Sequence, residues 1–463
     1  MMRNSSFHPS SFRDPSGFIF YSDNIVYRQI NMIYKEDYEY FIKSGLYDTL
    51  VNANLLIPHQ EVEDKFIIID NMYKVIKPEP IPFISYPYEW CFSQLKDAAL
   101  TTLKIQKKAI DYGMSLKDCS AYNIQFRNGV PIFIDTLSFE KLVEIKPWVG
   151  YRQFCQHFLA PLALMSYRDI RLNQLLRIYI DGIPLDLASK LLPISSYFSI
   201  SLLTHIHLHA KSQKYFSNKE LNKNSLKISH KSLLGILDSL ETVINRLNWK
   251  TKESEWANYY DNTNYSLESF QQKKIIIAEF LENINPKNVF DLGANIGLFS
   301  RISNDMDIFT VSCDIDPCAV EKNYKECIKR NDKHILPLLI DITNPSPAIG
   351  WQNNERTSFL TRGSVDTVIA LALIHHLAIG NNIPLSSISN FFKTICNKLI
   401  IEFVPKNDSQ VQRLLVSRCD IFVDYTKDIF ENEFKKYFII NRCVKIKGSE
   451  RVLYLMSIRS NMT

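Results

Sequence analysis

The chain has 463 residues, 46% of them apolar and 22% charged, with a net charge of +5. This is the composition of a folded globular protein with room for two domains, which excludes disorder. It holds no run of about 18 apolar residues that would span a membrane.

The charge is uneven: from Thr251 onward there are 25 basic and 25 acidic residues, so the 29 basic and 24 acidic ones before it carry the whole excess. Neither half has the dense basic face of a nucleic-acid binder, and the runs Lys107-Lys108 and 219–227 read as solvated helix faces. The amino terminus lacks the apolar stretch of a secretory signal, and the nine cysteines include no CxxC pair. Free thiols and a cytoplasmic protein are expected.

In chain order, the first polar constellation is Ser115-Leu-Lys-Asp118-Cys-Ser-Ala-Tyr-Asn123, followed by Gly129-Val-Pro-Ile-Phe-Ile-Asp135. A helix is expected before it, near 94–112. Asn128-Gly129 fits the turn of a β-hairpin, in which these polar residues would serve only structure. His205-Ile-His207-Leu-His209 lies in a helix-like segment with no carboxylate or cysteine partner nearby, which argues against a metal. Residues 211–231 are rich in Lys, Asn and Ser and read as an exposed connection; helical periodicity follows at Leu233, Leu234, Ile236, Leu237, Leu240, Val243 and Ile244. The expected division is 1–210, a linker and helix at 211–255, and a last domain at 256–463. In that domain 256–265 precedes a helix at 268–283. Strands are expected at 288–292, 308–313, 335–340, 365–373, 397–404, 436–446 and 450–458. Such alternation predicts a doubly wound α/β sheet closed by an antiparallel pair.

The densest motif is the turn Asp291-Leu-Gly293-Ala-Asn295-Ile-Gly297 between the first of these strands and a helix, with Asp314 and Asp316 ending the next strand. Glycines that let backbone approach a ligand, and an acidic residue about 20 positions on for ribose hydroxyls, suit a nucleotide-type cofactor. Residues 256–460 resemble a class I S-adenosylmethionine-dependent methyltransferase with a Rossmann-like seven-stranded sheet. The resemblance implies that S-adenosylmethionine packs on Gly293, Asn295 and Gly297. It places the cofactor ammonium at Asp291, the ribose at Asp314 (Asp316 second) and the adenine amine at Asp341. A helix cap is the other reading of Asp314, whose spacing from the first turn favours ribose, and it explains Asp341 equally well. Lys273 and Lys274 open a helix that could reach the cofactor carboxylate, with surface solvation the simpler reading.

In that fold methyl groups emerge at the carboxyl end of the fourth strand, where His375 and His376 stand; either suits a base toward a hydroxyl. Glu402, ending the fifth strand, is a second candidate base or a structural carboxylate. No Asn-Pro-Pro-Tyr or catalytic-cysteine motif is present, which argues for an oxygen acceptor over nucleic-acid amines or pyrimidine carbons. The connection 343–363, with Trp351, Glu355 and Arg356, is long enough to carry substrate contacts, and 420–425 could line the same cleft.

Asp118, Asn123 and Asp135 repeat the order of the catalytic Asp and the two magnesium ligands of protein-kinase-like phosphotransferases. There is no HRD, no DFG and no Gly-rich loop; Asp14-Pro-Ser-Gly17 is the nearest substitute, and Arg28 or Lys74 would have to replace the strand lysine. Residues 1–210 are read as kinase-like in fold, with phosphotransfer not expected and no resident metal. The wording of both halves, including Ile84-Ser-Tyr-Pro-Tyr-Glu-Trp90 and Phe133-Ile-Asp135-Thr-Leu-Ser-Phe-Glu140, resembles a bacterial family, some of whose members are nodulation-type host-specificity proteins. Three expectations stand: an O-methyltransferase for a saccharide or small-molecule acceptor, a bifunctional kinase–methyltransferase acting on a glycan, or a non-catalytic cofactor-binding protein.

Overall fold

The computed structural model describes residues 5–62, 71–143, 147–211, 229–250, 267–363, 365–416 and 419–459; the segments 219–227 and 256–265 lie outside them. The chain divides into two units, Met1–Lys250 with Ala348–Thr357, and Thr251–Pro347 with Ser358–Thr463.

The first unit opens with β1 (Ser5–Phe7), β2 (Gly17–Ser22), β3 (Ile25–Asn31), β4 (His59–Val62) and β5 (Met72–Pro78), an antiparallel sheet in the order β1-β2-β3-β5-β4. Asp23 and Asn24 join β2 to β3 with φ of +53° and +62°, the left-handed pair that a two-residue hairpin loop demands. Helices Lys35–Lys43 and Leu46–Asn52 connect β3 to β4. Helix Phe92–Asp111 buries Leu95, Ala98, Ala99, Thr102, Leu103, Gln106 and Ala109 along one stripe. It leads to β6 (Met114–Leu116), the hairpin β7 (Ile124–Arg127) and β8 (Val130–Phe133), and β9 (Phe139–Lys141), which pairs with β6. Asn128 and Gly129 form the hairpin loop with φ of +52° and +77°. The remainder of this unit is helical and includes His230–Arg246, whose Leu233, Leu237, Leu240, Val243 and Ile244 are buried.

The second unit is built on β10 (Asn288–Leu292), β11 (Phe309–Asp314), β12 (Ile335–Leu339), β13 (Val365–Ala370), β14 (Cys396–Phe403), β15 (Phe438–Lys445) and β16 (Val452–Ile458). Their order is β12-β11-β10-β13-β14-β16-β15; the first five are parallel, and β16 runs antiparallel to both its neighbours. Each strand falls within three residues of its expected bounds. Strands covered on both faces read as continuous apolar runs, as Val368-Ile369-Ala370 and Leu399-Ile400-Ile401 do, and all six residues are buried. The strand order reverses at β10, which places a crevice beyond its carboxyl end. On one face, Ile277, Phe280 and Leu281 of helix Leu267–Ile284 pack with Val289, Ile369, Ile400 and Leu453. No helix among the described residues is long and apolar enough to cross a membrane.

Phe280 is fully buried in that cluster, so Phe280→Ala should cost about 3–5 kcal/mol of stability. Urea unfolding followed by circular dichroism should show a lowered midpoint; an unchanged midpoint would mean that the helix does not hold the sheet.

Candidate functional site

Past β10 the chain turns through Gly293, Asn295 and Gly297, all left-handed with φ of +77°, +53° and +74°. Gly297 admits no substitute: a Cβ there would collide with the side-chain amide of Asn323. The amides of Gly293 and Ala294 both donate to the Cys313 carbonyl of β11 at 2.9 Å. Asp314, the last residue of β11, accepts from the Asn295 amide at 2.7 Å and the Asp316 amide at 2.9 Å. Helix capping falls to Asp316, which starts helix Pro317–Arg330 by accepting from the Cys318 amide at 2.9 Å. Asp341 caps no helix either; it accepts from the Thr343 amide and hydroxyl at 2.8 and 2.6 Å.

These elements surround a cavity of about 320 Å³. Its walls are apolar at Phe270, Phe299, Ile315, Ile340, Ile342, Leu371, Leu373 and Leu377, and polar at Lys273, Asp291, Asn295, Asp314, Asp341, Thr343, His376 and Asn381. Gly293 lines it as well, whereas Gly297, His375 and Glu402 do not. Asp291 is buried at the floor with Ser300 Oγ 2.6 Å from its carboxylate; Ser300 in turn lies 2.8 Å from Ser312 Oγ, which accepts from the Asn323 amide group at 2.8 Å. Burial pushes the Asp291 carboxyl up to about 7, with nearby Asp314 adding to the rise. Asp314 is pushed up to about 6, again chiefly by burial, against the amides that favour its charge.

Lys273 corrects the surface reading. It is 2% exposed, with Nζ 2.6 Å from Glu402 Oε2 and 4.8 Å above the Phe299 ring. Burial lowers its pKa, while Glu402 works in the opposite direction. Glu402 is corrected too: it is fully buried between Lys273 and Arg451, whose Nη1 is 3.8 Å away and whose Nε holds Asp408 at 2.7 Å. This carboxylate is walled in by two cations and does not line the cavity. The signal for Lys273 was present in the sequence, since Phe270, Lys273, Ile277 and Phe280 follow the spacing of one buried helix face.

The two histidines separate as well. His375 is 1% exposed behind the cavity wall, with Nδ1 buried and unpartnered. His376 lines the cavity, its ring 4.2 Å from that of His375, and burial lowers it to about 4. Between β13 and this pair, Ala372 stands at φ +49°, a left-handed alanine in the cavity wall that sequence periodicity does not mark.

In the first unit Asp118, Asn123 and Asp135 come together. Asp118 accepts from the Ser120 amide at 2.9 Å and hydrogen-bonds Asn123 and Gln153; burial raises its pKa, and Asp135 adds to the rise. Asp135 pairs with Arg28, which lies 3.5 Å from Asp14, and accepts from the Leu137 amide at 3.2 Å. Arg28, not Lys74, is therefore the cation at this cluster; Lys74 pairs with Glu61. Among the described residues no group of three or more His, Cys, Asp or Glu could hold a metal ion. His205 is held by Tyr151 at 2.7 Å and Ser239 at 3.0 Å, and His207 by Ser189 at 2.7 Å and Ser196 at 2.9 Å, so both rings are engaged in structure. The middle of the 343–363 connection packs in this first unit: Glu355 pairs with Arg13 at 2.7 Å, Arg356 lies over the Tyr122 ring at 4.2 Å, and the Thr357 amide donates to Tyr86 Oη at 2.9 Å. Trp351 on that segment is exposed.

No family model matches the chain. The nodulation protein NoeA of Rhizobium meliloti (strain 1021) is 34% identical over 453 residues, 96% of this chain and 94% of the relative. The chain belongs to the NoeA family. The matched length exceeds either unit, so both units are part of what defines NoeA-family membership. Similar solved structures include the bifunctional kinase-methyltransferase WbdD, 17% identical over 40% of this chain and 39% of that one, with a TM-score of 0.30. Magnesium protoporphyrin IX methyltransferase (ChlM) from Synechocystis PCC 6803 with bound SAM is 17% identical over 44% and 89% at 0.30, and the N-methyltransferase NodS from Bradyrhizobium japonicum WM9 is 10% identical over 42% and 99% at 0.31.

A buried carboxyl raised to about 7 keeps its proton where the unfolded chain, with a value near 4, has already released it. The folded state then binds more protons between about pH 4 and 7, so stability falls as pH rises through that window. Asp291→Asn should flatten this decline in thermal melts from pH 4 to 8, and a slope unchanged from the parent would remove Asp291 as its source.

Proposed function

We propose that the second unit binds S-adenosylmethionine and transfers its methyl group to a hydroxyl of a saccharide or small-molecule acceptor, as a class I methyltransferase. The observation that carries this reading is the pairing of Asp314 with the glycine turn. One carboxylate braces the Asn295 amide at 2.7 Å and still faces the cavity, where ribose hydroxyls can donate to it. The residues present fit the group. Asp291 at the cavity floor offers an anion for the ammonium, and the neighbouring Lys273 a cation for the carboxylate. Ile315, Ile340 and Ile342 offer apolar walls for the adenine, whose amine can donate to Asp341.

When bound, S-adenosylmethionine supplies an activated methyl group on a sulfonium leaving group. The chain's own contribution is to orient, to exclude water and to accept a proton. His376 suits the role of proton acceptor because its ring lines the cavity and is neutral throughout the physiological range, while the burial that holds it at about 4 limits its strength as a base. His375, buried behind it, is a packing partner. The nodulation role in the name of the Rhizobium meliloti relative is in keeping with a saccharide acceptor.

A second reading, of a kinase-like first unit that also transfers phosphate, is favoured by the convergence of Asp118, Asn123, Asp135 and Arg28. Calorimetry with ATP and magnesium would support it only if binding is seen and is lost in Asp135→Ala.

Calorimetry with S-adenosylmethionine tests the main reading. Asp314→Ala should weaken binding about tenfold to a hundredfold, the worth of hydrogen bonds to a charged group; unchanged affinity would sink the site. Lys273→Met, combined with Glu402→Gln to avoid a stranded buried charge, should weaken S-adenosylhomocysteine and leave 5′-methylthioadenosine, which lacks the carboxylate, within about twofold. Equal losses for both ligands would make Lys273 purely structural.

A further inference from the structure

In the first unit, Ile194, Phe198 and Ile200 are 80%, 85% and 81% exposed, three large apolar side chains within seven residues. They do not hang from a slack loop. The Ser196 amide donates to the Pro193 carbonyl at 2.9 Å, and Ser196 Oγ lies 2.6 Å from that carbonyl and 2.9 Å from His207 Nε2. Tyr197 stacks on His207 with ring centroids 3.7 Å apart, and Leu202 is fully buried. Ser199 caps the start of the following helix. The turn is fixed from below, and its apolar side chains project outward.

The surrounding sequence is basic. Among the described residues of 151–250 nine are basic and five acidic, a net +4. One of these bases meets the ridge directly: Arg246 lines, with Phe198, Ile200, Ser166, Ser199 and Ser201, a depression of about 410 Å³. Projecting apolar tips beside a hydroxyl-lined, cationic hollow match a surface that is apolar below and anionic at its headgroups. A folded protein partner would need a pocket for each separate tip, whereas a bilayer interface yields around them.

We propose that this ridge is a peripheral docking site for an anionic lipid bilayer, with Ile194, Phe198 and Ile200 entering the interface and Arg246 meeting a lipid phosphate. The site lies outside the cofactor cavity and does not depend on the methyltransferase reading.

The test is co-sedimentation of the full chain with vesicles of phosphatidylcholine alone or mixed with phosphatidylglycerol. Binding should require phosphatidylglycerol and weaken as salt rises from about 0.1 to 0.5 M. Phe198→Glu with Ile200→Glu should lower the partition coefficient about tenfold or more, and Arg246→Gln should lower it less, with thermal melting points unchanged because all three side chains act at the surface. Equal partition of the double variant and the parent overturns the proposal, as does parent protein that ignores both vesicle types. Parent protein that sediments as a dimer, with a monomeric double variant and no vesicle binding by either, assigns the ridge to a second copy of the chain and also overturns it.

Discussion

The site of the second unit depends on one carboxylate. Asp314 ends β11 and reaches across to the Asn295 amide. That bond joins the two amide contacts to Cys313, the Gly297 amide on the Ala294 carbonyl and the Arg301 guanidinium on the Ile296 carbonyl in holding a turn with three left-handed positions. Left-handed backbone is costly for any residue but glycine, with asparagine the mildest exception, so the turn persists because its neighbours over-determine it. The same carboxylate is oriented a second time by the Asp316 amide. Its position is thus set by backbone alone, which no side-chain repacking elsewhere can disturb.

Beneath the cavity the chain buries an ionic row, Lys273–Glu402–Arg451–Asp408, drawn from helix Leu267–Ile284, β14, the residue before β16 and the residue before helix Ser409–Leu415. Buried ion pairs are weak contributors to stability but are severe when half removed. The row does more to fix where Lys273 stands than to stabilise the sheet. It sets a cation beside Asp291 in the cavity wall.

Legibility in the sequence followed the physics of each signal. Strands buried on both faces are largely apolar, and so β10 to β14 could be read closely from their Val, Ile, Leu and Phe, although Asp291, Thr310, Ser312, Thr367 and Glu402 are buried in them too. Glycines with a steric obligation could be read as well; Gly297 is pressed against Asn323. What escaped were side chains whose role depends on a partner distant in sequence. Helix spacing could place Lys273 on a buried face, but Glu402 lies 129 residues away, and no local pattern names it as the partner. The tandem histidines failed differently: they stand beyond the end of β13, where a helical turn begins, and only His376 of the two lines the cavity. The segment 348–357 looked like a loop of the sheet edge because sequence order hides which unit a long connection packs in.

The first unit shows why convergence of the right residue types does not settle phosphotransfer. Asp118, Asn123 and Asp135 do meet, but Asp135 is already paired with the guanidinium of Arg28, which also lies beside Asp14. A divalent cation at Asp135 would have to displace a nine-tenths buried arginine and leave it with Asp14 alone, an exchange that buried ion pairs resist. Burial and the neighbouring Asp135 raise the Asp118 carboxyl, against its hydrogen bonds to the Ser120 amide, Gln153 and Asn123. Arg28 thus brings a fixed positive charge to Asp135 and Asp14.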